Sequence, residues 1–173
     1  MSIAPENNEP RYPMSFNHFD ATGQAIMVDV SSKSPTMRTA IATATVSLKP
    51  TTLEAILAGR TTKGDVLGVA RLAGIAAAKK TPDLIPLSHP LAIHHAAIDF
   101  ITDTSQGSIE VRATVRAFER TGVEMEAMVA ASVAALTVYD MCKGTDKGIT
   151  IDQVKLHFKE GGKSGTYRRE ETP

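Results

Sequence analysis

The sequence predicts an α+β domain in which an antiparallel sheet carries two helices on one face. Three observations lead there: two-residue alternation of apolar and polar side chains at 38–49 and again at 108–119, helical stretches rich in small apolar residues at 63–80 and 123–143, and the order in which these pieces follow one another.

Residues 38–49, RTAIATATVSLK, put Ala40, Ala42, Ala44, Val46 and Leu48 on one face and Thr39, Thr43, Thr45 and Ser47 on the other, with Ile41 interrupting the polar side; β-branched threonines favour a strand. Leu53 to Leu57 suits a short helical turn. Residues 63–80 form a helix whose apolar stripe is Val66, Val69, Ala70, Ala73 and Ala77, with Asp65 at the positive end of its dipole and Lys79 and Lys80 at the negative end. Gly68 and Gly74 weaken this helix but permit close packing. Pro82, Pro86 and Pro90 hold a loop, PDLIPLSHP, that excludes regular helix. Strands follow at 91–101 and 108–119 around a turn at Ser-Gln-Gly. Residues 123–143 form the strongest helix, Pro-free and bracketed by Gly122 and Gly144. A last strand is predicted at 149–158. Strand, helix, strand, strand, helix, strand is the order of the ferredoxin-like split βαβ fold, which by itself settles no chemistry.

The chain has 173 residues, room for one domain, placed at 18–159 between a flexible arm at 1–17, with Pro5, Pro10 and Pro13, and a flexible Gly- and Lys-containing tail at 160–173. Nineteen basic and nineteen acidic residues cancel, which argues against binding nucleic acid or an anionic membrane by bulk charge. The absence of Trp and an aromatic content of 5% argue against base-stacking surfaces. The single Cys142 suits a reducing compartment. No run reaches the roughly 18 apolar residues of a membrane span, and the first residues carry no signal-peptide pattern. A soluble, cytoplasmic protein is expected.

Polar residues in the apolar helix 123–143 are informative. Glu126, Val133, Leu136, Asp140 and Lys143 fall on or near one side, while Glu124 occupies the first turn, where a carboxylate faces the dipole favourably. Capping, and a solvated Asp140–Lys143 pair, would account for each end separately. Yet Glu126 and Asp140 stand about 21 Å apart along the axis; if both are functional, a site spans a long ligand or is shared between subunits. His89, held between Pro86 and Pro90, suits phosphate binding or proton transfer, or simply bonds a nearby carbonyl. His94 and His95 are neighbours on a strand, point to opposite faces and cannot chelate together; with no HExxH, CxxC or EF-hand spacing, no metal is expected. The tail HFKEGGKSG fails as a phosphate-binding P-loop, because His157 stands where its first glycine is required. Lys159 and Lys163 could still close over an anion. Lys63 precedes a helix start, where backbone N–H groups attract anions, and Cys142, at a helix C-terminus, is a core or interface thiol.

Taken together, MVDVSSKSPTMRTA, GRTTKGDVLGVARLAGIAAAKKTPDLIPLSHPL, GVEMEAMVAASVAALTVYDMCKG and GGKSG closely resemble the cyclic pyranopterin monophosphate synthase (molybdenum cofactor biosynthesis protein C) family, over about residues 17–167. The resemblance implies a lyase that rearranges 3′,8-cyclo-7,8-dihydroguanosine 5′-triphosphate to cyclic pyranopterin monophosphate and releases pyrophosphate. It also implies a ferredoxin-like fold and a homo-hexamer, a trimer of dimers, with sites at the dimer interface. By motif, Lys63, Asp140, Lys143 and Lys159 match catalytic positions, and Arg38, His89, Glu124, Glu126 and Lys163 match substrate-binding positions. Two departures stand out: Ser88 where the family usually has Cys, and Glu160 in a tail that usually reads KSGGKSG.

The implied reaction moves protons without a redox change, so lysines and carboxylates suffice and no cofactor is expected. Lys63 and Lys143 would act as acid or base, their pKa values lowered by clustering with Arg38, Lys159 and His89. Asp140 would hold Lys143 or shuttle its proton, and the other cations would bind the triphosphate. The alternative is a ferredoxin-like module that binds nucleotide without turnover; an RNA-binding sheet is weaker still.

Overall fold

The structure, a computed structural model, describes residues 18–20 and 22–170. The arm expected at 1–17 and the last three residues of the expected tail lie outside the described residues. Strand β1 (Thr36–Ser47) leads through helices α1 (Pro50–Leu57), α2 (Val66–Ala78) and the single turn α3 (Thr81–Leu84) to a hairpin of β2 (Ile93–Asp103) and β3 (Ser108–Glu119). Helix α4 (Glu124–Cys142), β4 (Thr150–Glu160) and the short β5 (Tyr167–Arg168) complete the chain. The sheet order is β2-β3-β1-β4-β5, each neighbouring pair antiparallel. Consequently β1 and β2 are parallel with β3 between them, and β3 and β4 are parallel with β1 between them. This is the split βαβ arrangement of an α+β, ferredoxin-like domain.

Alternation sets the core. Ala40, Ala42, Ala44 and Val46 of β1 and Ile109, Val111, Ala113, Val115 and Ala117 of β3 are fully buried, directly opposite one another in the register Ala40↔Val115 to Val46↔Ile109. Against that face lies α4, with Ala127, Ala130, Ala131, Ala134, Ala135 and Val138 completely buried. Such small side chains let α2 lie close to α4: a Cβ on Gly74 would stand 3.0 Å from the Ala130 carbonyl oxygen and from Ile98. The buried stripe of α2 is Val66, Ala70, Gly74, Ala77 and Ala78. Val69, expected in that stripe, is exposed, because the i, i+4, i+8 row through Gly74 is the one facing α4. Asp65 caps α2 by accepting the Gly68 N–H at 2.9 Å.

The Pro-containing loop departs from expectation at its start: Thr81–Leu84 is a helical turn, with Pro82 in a position where the absent N–H costs nothing. Helix α1 likewise begins on Pro50, three residues before the expected turn. Beyond β4 the sequence offered no element, yet β5 pairs Phe158 with Arg168 and Lys159 with Tyr167, and the Arg168 guanidinium stacks 5.0 Å from the Phe158 ring centre.

Of the two register shifts in the β1–β4 pairing, the one between Ile41 and Ala42 sets the face of a candidate site residue. Ala42 opposes Leu156, but Ile41 opposes Phe158 and Ala40 opposes Lys159, so β4 carries one extra residue at His157. A one-residue slip exchanges the faces of a strand. Lys159 thereby shares the face of Ala40, under α4, instead of pointing away from it.

Candidate active site

The polar residues singled out in the sequence assemble as two groups at opposite ends of α4. At its C-terminal end Asp140 accepts a 2.6 Å bond from Lys143 Nζ through Oδ1. The ammonium of Lys63, from the loop before α2, donates to the Asp140 backbone carbonyl at 2.7 Å and lies 3.5 Å from Oδ2. The hydrogen bond and charge of Lys143, with Lys63 beside it, hold the Asp140 carboxyl below the usual carboxylate range. In return, the Asp140 contact pushes the Lys143 ammonium above the usual lysine value. In this chain the expected lowering of Lys143 is not found: it faces a carboxylate, and Arg38, Lys159 and His89 belong to the other group.

At the N-terminal end, Lys159 Nζ sits 3.0 Å from Glu124 Oε1 and 2.9 Å from Ser164 Oγ, joining β4, α4 and the tail. Arg38, on β1, donates from Nε and Nη2 to the carbonyls of Glu119 and Arg120, both at 3.1 Å. The tail closes directly on this guanidinium. Gly161 and Gly162 have φ of +96° and +74°, and a Cβ on Gly162 would stand 1.5 Å from Arg38 Nη1; glycine alone permits that approach. Arg38, Lys159, Lys163 and Glu124 line a cleft of about 300 Å³, together with Lys33 and Arg120.

A second chamber of about 470 Å³ shares Lys33, Thr121, Gly122 and Glu124 with the first. Its walls include Ser88, His89 and Glu126. His89 Nε2 lies 2.8 Å from the Val28 carbonyl oxygen, so the histidine both bonds a nearby carbonyl and faces the chamber. Glu126 is 2% exposed and its Oε1 has no hydrogen-bond partner in the described structure. Burial, reinforced by the neighbouring Glu124 charge, pushes its carboxyl up to about 7. The side of α4 carrying Glu126, Leu136 and Asp140 thus passes from buried at its start to exposed at its end.

Sequence reasoning missed Lys33 and Arg120. Lys33 lies inside the motif MVDVSSKSPTMRTA, but nothing in its spacing places it at the mouth of both chambers. Among the described residues, no cluster of three or more His, Cys, Asp or Glu side chains is arranged to hold a metal ion. A polyanion can lie across the cationic cleft while a heterocycle enters the chamber with the buried carboxyl, and ammonium and carboxylate groups stand ready for proton transfer.

The fold and these groups define a ferredoxin-like α+β protein with a cationic, two-chambered cleft at one end of its core helix and a lysine–aspartate–lysine cluster at the other. The chain belongs to the MoaC family, whose model matches residues 27–162. It is 78% identical over 158 residues to the cyclic pyranopterin monophosphate synthase of Geobacter sulfurreducens, covering 91% of this chain and 99% of that protein. It is 80% identical, over the same shares of both chains, to the cyclic pyranopterin monophosphate synthase of Geotalea uraniireducens. The protein of that name from Chloroflexus aggregans is 53% identical over 156 residues, 90% of this chain and 94% of its own length.

Proposed function

We propose that this chain catalyses the lyase step of molybdenum cofactor biosynthesis in which 3′,8-cyclo-7,8-dihydroguanosine 5′-triphosphate becomes cyclic pyranopterin monophosphate and pyrophosphate. The observation that carries this reading is the extent of the family match. The segment 27–162 contains Arg38, Lys63, His89, Glu124, Glu126, Asp140, Lys143 and Lys159, and Lys163 follows it directly.

Arg38, Lys159 and Lys163 bind the triphosphate in the first chamber, and loss of pyrophosphate is favoured by the positive charge gathered there. The base enters the second chamber, where Glu126 faces its polar edge and His89 holds the wall. Ring opening and reclosure need proton transfers. Lys143, kept as an ammonium by Asp140, donates a proton to the rearranging base or sugar, and Lys63 works beside it. Glu126, with its carboxyl near 7, exchanges protons at neutral pH.

The two groups of lysines act on one substrate, yet their anchors Glu124 and Asp140 stand about 24 Å apart along α4 within a subunit, at about 1.5 Å per residue. Each site therefore combines Lys63, Asp140 and Lys143 of one subunit with the cleft of another, in a homo-hexamer built as a trimer of dimers. Leu72 and Val69 on α2 and Leu136 on α4 are exposed apolar side chains on the outer faces of the helices, and Leu136 shares the side of Asp140; both facts support a protein partner there. Buried Cys142, a free thiol, fits a cytoplasmic setting.

The test is turnover of the purified oligomer with 3′,8-cyclo-7,8-dihydroguanosine 5′-triphosphate, following pyrophosphate and pterin together. Equal amounts of both are expected. A folded protein that binds the compound and releases neither would establish the non-catalytic alternative.

A further inference from the structure

Before β1 enters the sheet, residues 28–33 run past both chambers without pairing to any strand. Among the described residues, hydrogen bonds tie the segment before β1 to the rest of the domain at two places. His89 meets the Val28 carbonyl at 2.8 Å. Arg120 Nη1 donates to the Ser31 carbonyl at 2.7 Å and also to the Lys33 carbonyl. Within the segment, Asp29 Oδ1 accepts the Ser31 N–H at 2.8 Å and the Lys33 N–H reaches the Val30 carbonyl at 3.0 Å, shaping a tight turn. Among the described residues Lys33 forms no ion pair within 4.0 Å, and it lines both chambers.

Arg120 is itself fixed. Its carbonyl oxygen accepts from Arg38 Nη2, and the preceding carbonyl, of Glu119, accepts from Arg38 Nε. A chain of contacts therefore runs from the Gly161–Gly162 turn to Arg38, from Arg38 to the backbone at Arg120, and from the Arg120 guanidinium to the turn bearing Lys33. An arginine is suited to such a place because it is always charged and its Nη1 alone carries two N–H donors in the guanidinium plane, one for each carbonyl oxygen.

We propose that Arg120 is a positioning residue: it holds the 28–33 segment so that Lys33 adds a cation to the oligophosphate-binding cleft. This deepens the proposed function and rests on its assignment of the cleft to the triphosphate. Arg120 contacts the segment, Lys33 contacts the anion, and the effect of the first is exerted through the second. Fixing Lys33 in advance removes ordering entropy from binding.

The experiment titrates inorganic tripolyphosphate into the full-length oligomer by calorimetry for wild type, Lys33→Met, Arg120→Met, the double variant and Arg120→Lys, and measures KM and kcat with substrate for each. Lys33→Met is expected to weaken tripolyphosphate about tenfold, the loss of one well-placed charge contact. Arg120→Met should weaken it several-fold and raise KM with kcat nearly unchanged. The double variant should bind no worse than Lys33→Met, and Arg120→Lys should recover part of the loss. If Lys33→Met binds as wild type, or the two losses multiply, or Arg120→Met lowers kcat with KM unchanged, Arg120 does not act through Lys33. If Arg120→Met does not fold, Arg120→Lys alone and combined with Lys33→Met carries the same test: a combined loss no greater than that of Lys33→Met supports the proposal, and losses that multiply overturn it. A wild type that binds no tripolyphosphate overturns the cleft assignment as well, so the two failures are distinguishable.

Discussion

Lys159 and Glu124 meet at 3.0 Å because β4 slips by one residue at His157. Without that slip the alternation that buries Leu156 would turn Lys159 to the far face of the sheet, away from α4. The bulge places the ammonium over the first turn of α4, where Glu124 and the Ser164 hydroxyl receive it. Lys159→Met is expected to leave the fold intact and to lower kcat/KM by about a hundredfold or more, the range for a displaced proton-transfer or charge-stabilising group. Steady-state kinetics with matched circular dichroism checks this.

Glu126 makes stability fall with pH in a definite window. Its carboxyl sits at about 7 in the folded chain against 4.5 for the ordinary group. Between those values the folded state binds more protons than the unfolded one, so the contribution is complete below 4.5 and is lost as pH rises through 7. Glu126→Gln should flatten this fall, seen as urea midpoints that vary less from pH 4.5 to 7 than those of wild type. Identical pH slopes for the two proteins would contradict a buried, raised Glu126.

Asp140 holds Lys143 as an ammonium. Asp140→Asn removes the charge that raises Lys143 and should bring its Nζ titration down towards the ordinary lysine value. NMR of isotope-labelled lysine side chains reads this directly, and turnover should fall in the same variant.

Gly162→Ala puts a methyl into the space of the Arg38 guanidinium and a side chain on a φ of +74°. Left-handed backbone costs a non-glycine residue about 1–2 kcal/mol, which the tail can avoid by opening. The expected outcome is a raised KM with a nearly unchanged melting temperature, because the tail turn lies outside the core.

Asp146 is 1% exposed and ties the end of α4 to the start of α1 through the Lys49 N–H at 2.9 Å, the Thr52 hydroxyl at 3.1 Å and the Gly148 N–H at 3.2 Å. These bonds, that from Lys49 first, hold its carboxyl below the usual range. Its contribution is therefore present above the unfolded carboxylate pKa and is lost as pH falls through the lower folded value. Asp146→Ala leaves those donors unsatisfied and should cost about 2 kcal/mol by urea unfolding at neutral pH.

The fold was readable from the chain where packing is periodic. Strand β3 has the expected bounds of Ser108 and Glu119, and α4 differs from its expected span by one residue at each end. What periodicity could not show is geometry set by single residues: the extra residue in β4, the helical turn after Lys80, and the pairing of β5 in a segment with no apolar alternation. For the site, motifs supplied the residues, and helix geometry set only Glu126 and Asp140 about 21 Å apart; the division of the lysines into two groups is shown by the contacts of Lys63 and Lys143 with Asp140 and of Lys159 with Glu124. Lys143's raised pKa was missed because the expectation assumed a completed cluster of cations, whereas its immediate neighbour is Asp140 at 2.6 Å. Lys33 and Arg120 were missed because their roles come from a segment with no regular structure.

The central claim is that Lys143 of one subunit and Lys159 of another serve the same substrate. The most direct measurement dissociates and remixes two inactive variants, Lys143→Ala and Lys159→Ala, and assays the mixture with 3′,8-cyclo-7,8-dihydroguanosine 5′-triphosphate. Shared sites predict that activity returns on mixing, because an interface between the two variants contains one site with both lysines intact. If exchange is verified by mass spectrometry and the mixed oligomers remain as inactive as either parent, each site is confined to one subunit and the account is wrong.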